Sequence, residues 1–348
     1  MINLSASARI ALLAAIAWAA GLACDETAAP PRPISEVDAP PGFFAGPVAK
    51  MAPADNHLTE ARAQLGRRLF YDKRLSRTGM IACASCHQQK YGFADPDAVS
   101  TGVDGQKGDR NAPGLSNLAW SDSLFWDGRA RTLEEQASKP IENPIEMDLK
   151  LPEAVARVAA DPAYFAAFTQ AYGGRPDVTT LPRALASFVR VLVSGGSRYD
   201  RFARGDVAAM DEPARRGHTI FFGERGECFH CHPPQSLTND GFFNNGSFSD
   251  GGDPGRQKLT GRSADLGKFR VPGLRNIAAS APYMHDGSVA TLEAVIEQYD
   301  RGGRGHDSAD PLIVPRNLSA QEKADLLAFM RALTDDAFLT DVRLGPPD

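Results

Sequence analysis

Two five-residue stretches decide how this chain folds: Cys83-Ala84-Ser85-Cys86-His87 and Cys228-Phe229-His230-Cys231-His232. Both have the pattern Cys-x-x-Cys-His, the attachment signature of c-type haem. Two thiols at this spacing can form thioethers to one haem, and the histidine that follows places an imidazole under the iron. The sequence therefore predicts two covalently bound c-type haems. The predicted haem-binding residues are Cys83, Cys86, His87, Cys228, Cys231 and His232.

A redox dithiol or half of a zinc site is the alternative for any single Cys-x-x-Cys pair. A zinc site shared by two such pairs would normally have them close together in the sequence, whereas these two lie in opposite halves of the chain. The histidine directly after each pair also needs an explanation, and haem attachment gives one. We therefore expect haem rather than zinc.

The composition excludes several classes of protein. A chain of 348 residues suggests about two domains, since a domain has roughly 100–200 residues. Hydrophobic residues make up 43% of the chain, enough to build cores, and the net charge of −5 argues against nucleic acid as a partner. With only five cysteines, a disulfide scaffold of this size is excluded.

The N-terminal residues 1–24 have the pattern of a signal peptide: Arg9 precedes an apolar run over 10–20 and small residues follow it. The alternative, a transmembrane anchor, would need about 20 apolar residues. Cys24 lies where a lipoprotein signal would place its acylated cysteine. Residues 25–54 are rich in Ala and Pro and are expected to form a flexible leader. We therefore expect a periplasmic protein that contacts the membrane only if Cys24 is lipidated.

Apolar periodicity in the mature chain is mainly helical. Helices are predicted over 58–71, 181–193, 292–299 and, after a capping box at Ser319, up to residue 333. Strand signal is weak, and long Gly- and Asn-rich stretches separate the helices. The predicted fold class is mainly α: two cytochrome c-like domains over 55–205 and 206–348, each enclosing one c-type haem, with long loops. No internal repeat is expected beyond the haem motif itself.

Further motifs lie between and after the two haem motifs. In chain order they are Arg110-Asn111-Ala112-Pro113, Phe125-Trp126-Asp127-Gly128-Arg129-Ala130, Asn143-Pro144-Ile145-Glu146-Met147, Phe269-Arg270-Val271-Pro272-Gly273-Leu274-Arg275-Asn276 and Ala281-Pro282-Tyr283-Met284-His285-Asp286-Gly287. As an ordered set, they resemble the bacterial dihaem cytochrome c peroxidase/MauG family. In that family two cytochrome c-like domains hold a calcium ion between them, and the N-terminal haem reacts with hydrogen peroxide.

The resemblance assigns roles around the peroxide-reacting haem. Glu146 matches the distal glutamate that moves a proton during peroxide cleavage, and Gln136 and Pro140 match residues that line the same pocket. In many family peroxidases a distal histidine blocks the first haem, but this chain has no histidine between 88 and 217. The resemblance therefore implies an open first haem, with His57 as the alternative source of a ligand.

Other matches concern the region between the haems. Trp126 matches the tryptophan that couples the two haems, and Trp120 is a second candidate for electron transfer. Asn111 matches a calcium ligand of the family, together with the backbone oxygens of Ser280 and Pro282. Oxygen donors of this kind suit calcium.

The sixth ligand of the second haem separates the branches of the family. Peroxidases that take electrons from a cytochrome have a methionine where this chain has Tyr299, whereas MauG-like members have a tyrosine. A thioether favours ferrous iron, and a phenolate stabilises ferric and higher states. Met284 is the rival candidate for this ligand.

The resemblance therefore implies a hydrogen-peroxide-dependent dihaem oxidoreductase of the MauG-like type. Such an enzyme stores two oxidising equivalents across its haems and oxidises a Trp or Tyr of a partner protein by long-range electron transfer. The segment 227–232 also resembles the methanobactin-associated branch. One alternative is a cytochrome c peroxidase that reduces peroxide with electrons from a small redox protein. Another is a non-catalytic electron-transfer dihaem cytochrome.

Overall fold

The computed structural model describes residues 33–37 and 48–347, and these belong to one compact unit. The predicted signal peptide, Cys24 and most of the predicted leader lie outside the described residues. Within the described part of the chain, no helix has both the length and the apolar character needed to cross a membrane.

The described chain is mainly helical, as predicted. Its α-helices are α1 (Glu60–Phe70), α2 (Cys83–Cys86), α3 (Leu133–Glu142), α4 (Leu151–Ala159), α5 (Pro162–Tyr172), α6 (Thr180–Arg190), α7 (Arg198–Ala203), α8 (Glu212–Phe222), α9 (Gln257–Thr260), α10 (Leu292–Asp300), α11 (Ala320–Ala332) and α12 (Asp336–Thr340). Two short antiparallel strands, β1 (Phe242–Phe243) and β2 (Phe269–Arg270), pair with each other. Short 3₁₀ turns connect many of these elements, including Leu118–Trp120, Cys228–His230 and Ile277–Ala279.

The four helices that the sequence predicted are present, with ends shifted by a few residues in α1 and α6. At α11 the capping box forms as expected, since the Ser319 hydroxyl accepts from the Glu322 amide and the Glu322 carboxylate accepts from the Ser319 amide. Periodicity did not predict α4, α5 or α8. All three have Pro in their first turn, and Asp161 caps α5 while Asp211 caps α8. Their start signals were therefore in the sequence.

Two helix pairs cross at backbone contact, one in each half of the chain. On α1, a Cβ at Gly66 would lie 1.9 Å from the Ala184 carbonyl oxygen of α6. On α8, a Cβ at Gly217 would lie 1.9 Å from the Asp325 carbonyl oxygen of α11. Glycine is therefore required at both crossings, because any side chain would push the helices apart.

Two loop turns, like the helix crossings, have the same conformation in both halves. Asn117 and Asn276 both have left-handed backbone and both begin a 3₁₀ turn. The Asn117 backbone N–H donates to the Leu192 carbonyl oxygen at 2.8 Å, and the Asn276 backbone N–H donates to the Leu333 carbonyl oxygen at 3.0 Å. The expectation of no precise internal repeat beyond the haem motif therefore missed this repetition of the backbone. The matching residues, Gly66 with Gly217 and Asn117 with Asn276, are single positions among unlike neighbours, so similarity along the sequence does not reveal the repeat.

Each half has its own hydrophobic core. The first core draws on α1 and α3–α6, and the second on α7, α8, α10 and α11. The chain end returns to the first half, where Phe338 and Leu344 are buried in the first core. Tyr199 already belongs to the second core. The predicted boundary between residues 205 and 206 is not tested by these contacts and stays a prediction.

The crossing glycines give a stability prediction. Gly217→Ala should destabilise the haem-loaded protein by about 1–3 kcal/mol, since the new methyl group overpacks the contact with α11. Gly174→Ala is the matched control, because nothing lies within 4 Å of a Cβ at that position. Thermal unfolding of both variants checks this. Equal midpoints would show that the helices separate at no cost and would contradict the prediction.

Candidate haem sites

The two haem motifs adopt matching geometry. In each, the motif histidine places Nδ1 at 2.8 Å from a backbone carbonyl oxygen, that of Phe93 for His87 and that of Leu237 for His232. A carbonyl oxygen can only accept, so Nδ1 carries the proton and Nε2 keeps its lone pair free. A hydrogen bond of this kind fixes the tautomer of a metal-binding imidazole. Burial lowers the pKa of His87, and it lowers the pKa of His232 to about 4.

The four motif cysteines are free thiols, with no disulfide between them. Burial raises the pKa of Cys83 to about 12 and that of Cys86 to about 11. It raises the pKa of Cys228 to about 12 and that of Cys231 to about 11. Each pair therefore carries two unoxidised sulfurs next to its histidine, as thioether attachment requires.

A cavity of about 260 Å³ adjoins the second motif, and Cys228, Cys231 and His232 lie in its wall. Arg270 and Arg275 also line it, and the Nε of each is buried without a hydrogen-bond partner among the described residues. A buried guanidinium nitrogen without an acceptor is costly. A haem carries two propionates that would supply such acceptors, so the residues present fit a haem in this cavity.

Both candidates for the sixth ligand line this second cavity. The Asn245 side-chain nitrogen Nδ2 lies 3.2 Å from the Tyr299 hydroxyl oxygen and 3.3 Å from the Met284 sulfur. Burial raises the pKa of Tyr299 to about 12. The structure thus brings the phenol and the thioether together in the cavity that His232 also lines, and the assignment of Tyr299 as ligand stays a prediction.

Glu146 faces the first motif. Its Oε1 accepts from Asn143 Nδ2 at 2.6 Å, and its charge acts on the thiols of both Cys83 and Cys86. Burial raises the pKa of Glu146, while the Asn143 hydrogen bond and the charge of Arg129 oppose this rise. The carboxyl group can therefore hold a proton at a pH where an exposed glutamate would have lost it.

The loop after the first motif closes onto the Glu146 turn. The Val103 amide donates to the Glu146 carbonyl oxygen at 2.9 Å. At Gly102 a Cβ would lie 2.1 Å from the Ile145 carbonyl oxygen, so the two segments touch through their backbones. This contact helps to set the position of Glu146 relative to the first haem motif.

Pro140 belongs to the same turn as Glu146, since the Met147 amide donates to the Pro140 carbonyl oxygen at 3.2 Å. Gln136 is half-buried one helical turn earlier on α3, on the same face as Pro140. His57, in contrast, is exposed, and its ring lies 3.4 Å from the Arg62 guanidinium. The structure therefore does not bring His57 to the Glu146 turn.

Trp126 connects the two halves. Its indole Nε1 donates to the Asn111 carbonyl oxygen at 2.8 Å, and its own carbonyl oxygen accepts from the Arg270 amide at 2.7 Å. Trp126 also lines the second cavity. Trp120 lies in a neighbouring turn and lines a small pocket beside Arg275. Trp126 is thus hydrogen-bonded to the backbone of Asn111, which follows the first motif in the chain, and to the backbone of Arg270, which follows the second.

The predicted calcium ligands Asn111, Ser280 and Pro282 all line the second cavity. The Asn111 backbone N–H donates to the His285 carbonyl oxygen at 2.7 Å. This hydrogen bond joins the two loops that carry the predicted ligands. In the described ranges, no three His, Cys, Asp or Glu side chains converge as a metal site. Asn111, Ser280 and Pro282 offer a side-chain amide oxygen and backbone oxygens beside this cavity, and the calcium site stays a prediction.

The repeat in the fold places Tyr299 and Pro140 at equivalent positions. Each follows the threonine that caps its helix, Thr291 for α10 and Thr132 for α3, by the same number of residues. Pro140 has no side-chain donor atom, so the first half lacks a ligand where the second half has a phenol.

Met284 and Phe125 are also equivalent. Each has positive φ, 73° and 65° respectively, and each lies in a small loop closed by an antiparallel bridge, Tyr283 with Val289 and Leu124 with Ala130. The first half therefore has a hydrocarbon ring where the second half has a sulfur. Both candidate donors of the second site are absent from the equivalent positions of the first.

Sequence reasoning missed three functional candidates: Asn245, Arg270 and Arg275. The two arginines lie in the quoted motif over 269–276, so the motif could have pointed to them. Asn245 lies in a Gly- and Asn-rich stretch without periodicity, where no local signal distinguishes it from its neighbours.

Comparison with known proteins agrees with this geometry. Residues 60–208 match the family model described as di-haem cytochrome c peroxidase. The methylamine utilization protein MauG of Methylorubrum extorquens is 38% identical over 294 residues, which cover 83% of each chain. The cytochrome c551 peroxidase of Nitrosomonas europaea is 36% identical and covers 79% of this chain and 80% of its own.

Among solved structures, a MauG-like protein associated with microbial copper homeostasis matches with a TM-score of 0.81 and 40% identity. The match covers 85% of this chain and 95% of that one. Fold, motif geometry and identity over most of both chains thus point the same way, and the chain belongs to the di-haem cytochrome c peroxidase family of oxidoreductases, which binds two haems.

Proposed function

We propose that this protein is a periplasmic, hydrogen-peroxide-dependent enzyme of the MauG-like type, which oxidises an aromatic residue of a partner protein. One observation carries the proposal. Pro140 and Phe125 stand where the second half has Tyr299 and Met284, so neither position could give a haem held by His87 a further ligand. Peroxide could then reach that haem without prior reduction of the second one.

When bound, the two haems supply the iron that reacts with peroxide and holds the two oxidising equivalents. The protein supplies the proton chemistry. Glu146 takes a proton from one peroxide oxygen and delivers it to the other, which turns the second oxygen into a water leaving group. Asn143 holds the carboxyl group in place through its 2.6 Å hydrogen bond, and Gln136 and Pro140 line the pocket.

Trp126 provides the connection between the halves, since its indole lies beside the second cavity and its hydrogen bond to Asn111 fixes it there. A protein substrate is too large to enter either haem site. It would dock on the surface and lose electrons through the protein to the haems, and Trp or Tyr are the side chains that such long-range oxidation would modify.

The relatives differ in function, and this supports two classes of partner. The similarity to MauG proteins and to a MauG-like protein of copper homeostasis supports a protein substrate. The similarity to cytochrome c551 peroxidases supports a small electron-donating cytochrome. Tyr299 favours the first class, because a phenolate stabilises oxidised iron and a donor-fed haem benefits from a thioether.

The test of the function is the reaction of the fully ferric, haem-loaded protein with one equivalent of hydrogen peroxide. We expect an immediate change of the optical spectrum and a long-lived oxidised state with near-infrared absorption that involves both haems. Reaction only after one haem is reduced would overturn the proposal in favour of a cytochrome c peroxidase. Inertness in every redox state would leave electron transfer alone.

The role of Glu146 gives a second prediction. Glu146→Gln should slow the reaction with peroxide by roughly 10²–10⁴-fold, because the amide cannot carry the proton between the two oxygens. The matched control is Glu142→Gln, an exposed carboxylate at the end of α3, four residues before Glu146. Stopped-flow mixing of ferric protein with peroxide measures both rates. Equal rates in the two variants would remove Glu146 from the mechanism.

The calcium proposal has its own test. Elemental analysis should find one calcium per chain, held by the Asn111 side chain and the backbone oxygens of Ser280 and Pro282. Removing it with a chelator should alter the second haem's spectrum, because Ser280 and Pro282 line that cavity. Protein free of calcium with an unaltered spectrum and full peroxide reactivity would contradict this site.

A further inference from the structure

Asn245 lines the second cavity, whose wall also contains the second haem motif. Its side-chain amide has two N–H donors, and two acceptors lie in reach of Nδ2: the Tyr299 hydroxyl oxygen at 3.2 Å and the Met284 sulfur at 3.3 Å. One side chain therefore contacts both candidate ligands of the second haem.

The orientation of this amide is fixed by its own loop. Asn245 Oδ1 accepts from the Ser247 amide at 3.1 Å, so the oxygen points into the loop and the nitrogen points to the cavity. Gly246, between them, packs on Gly303, and a Cβ on Gly246 would lie 3.0 Å from the Gly303 Cα. The loop is thus pressed against the segment that follows α10, the helix that carries Tyr299.

Met284 is held by a second donor. The Ser247 hydroxyl lies 3.5 Å from the Met284 sulfur, and the buried Gln298 donates from Nε2 to that hydroxyl oxygen at 2.8 Å. The Ser247 proton is therefore left to point at the sulfur. A thioether sulfur has two lone pairs, and here both face hydrogen-bond donors, one from Asn245 and one from Ser247.

Tyr299 is held differently. Its hydroxyl oxygen receives one hydrogen bond, from Asn245, and its second lone pair meets no donor among the described residues, although Tyr299 lines the cavity. A metal-facing ligand needs a free lone pair, so the phenol is available in this arrangement and the thioether is not.

We propose that Asn245 is a positioning residue that selects Tyr299 over Met284 as the sixth-position donor of the second haem. It does so by occupying a lone pair of the sulfur while it anchors the phenol oxygen. The inference rests on the proposed function, in which Tyr299 faces the iron. It adds that Met284 is a second donor in the same cavity, held back by hydrogen bonds.

The experiment uses the haem-loaded full chain and spectroscopy rather than activity. Asn245→Ala removes the amide, frees one sulfur lone pair and releases the phenol. We expect the ferric variant to gain the near-infrared charge-transfer band of thioether-ligated c-type haem. We also expect the midpoint potential of the second haem to rise, because a thioether favours ferrous iron.

Two further variants assign the change. The double variant Asn245→Ala/Met284→Leu should lack the new band, since leucine has no donor atom. Asn245→Gln retains two N–H donors and should restore part of the wild-type spectrum. A purely structural role for Asn245 would not make the band depend on Met284.

Failure of the inference and failure of the proposed site are distinguishable. Tyr299→Phe should change the wild-type spectrum of the second haem. If it does not, Tyr299 faces no iron, and the ligand assignment falls together with this inference. If Tyr299→Phe changes the spectrum while Asn245→Ala leaves both spectrum and potential at wild-type values, only the role of Asn245 is overturned.

Discussion

The hydrogen bond from each motif histidine to a backbone carbonyl oxygen is the constraint on which both sites depend. His87 and His232 each place Nδ1 at 2.8 Å from such an oxygen, which leaves Nε2 as the one ring nitrogen able to bind a metal. The acceptor lies on the loop a few residues after each motif. The loop after each motif therefore orients the imidazole. Residues elsewhere in each site take no part in this hydrogen bond, so they can differ between the halves.

The two halves share a backbone frame but differ at the positions that could supply a ligand to a haem. Helix crossings at Gly66 and Gly217 and the left-handed turns at Asn117 and Asn276 build the same frame twice. Pro140 lies inside α3, at the position equivalent to Tyr299 in α10, and its side chain offers no donor atom. The proposed open first site and closed second site would then follow from single residues at equivalent positions.

Sequence reasoning reached the features that local chemistry determines. The Cys-x-x-Cys-His motifs, the Ser319 capping box and the distal turn around Glu146 are each encoded within a few consecutive residues. It did not reach Asn245, because its partners Met284 and Tyr299 come from distant parts of the chain, nor the burial of the Arg270 and Arg275 Nε atoms, which depends on the tertiary fold. The repeat escaped because its matching glycine and asparagine residues are isolated positions in otherwise unlike segments.

The position of Trp126 depends on buried charges that cross between the halves. Arg110 pairs with Asp127, next to the tryptophan, at 2.7 Å and with Asp253 of the second half at 2.6 Å. Buried ion pairs add little net stability, because desolvation offsets their attraction, yet removing one partner is costly. Their effect here is geometric. The Arg270 backbone amide donates to the Trp126 carbonyl oxygen, and the Trp126 indole donates to the Asn111 carbonyl oxygen. Trp126 is therefore fixed from both halves, and the distance between the two sites cannot vary independently of the fold. Under the proposed function, a connection held from both halves would let electrons pass between them without a conformational step.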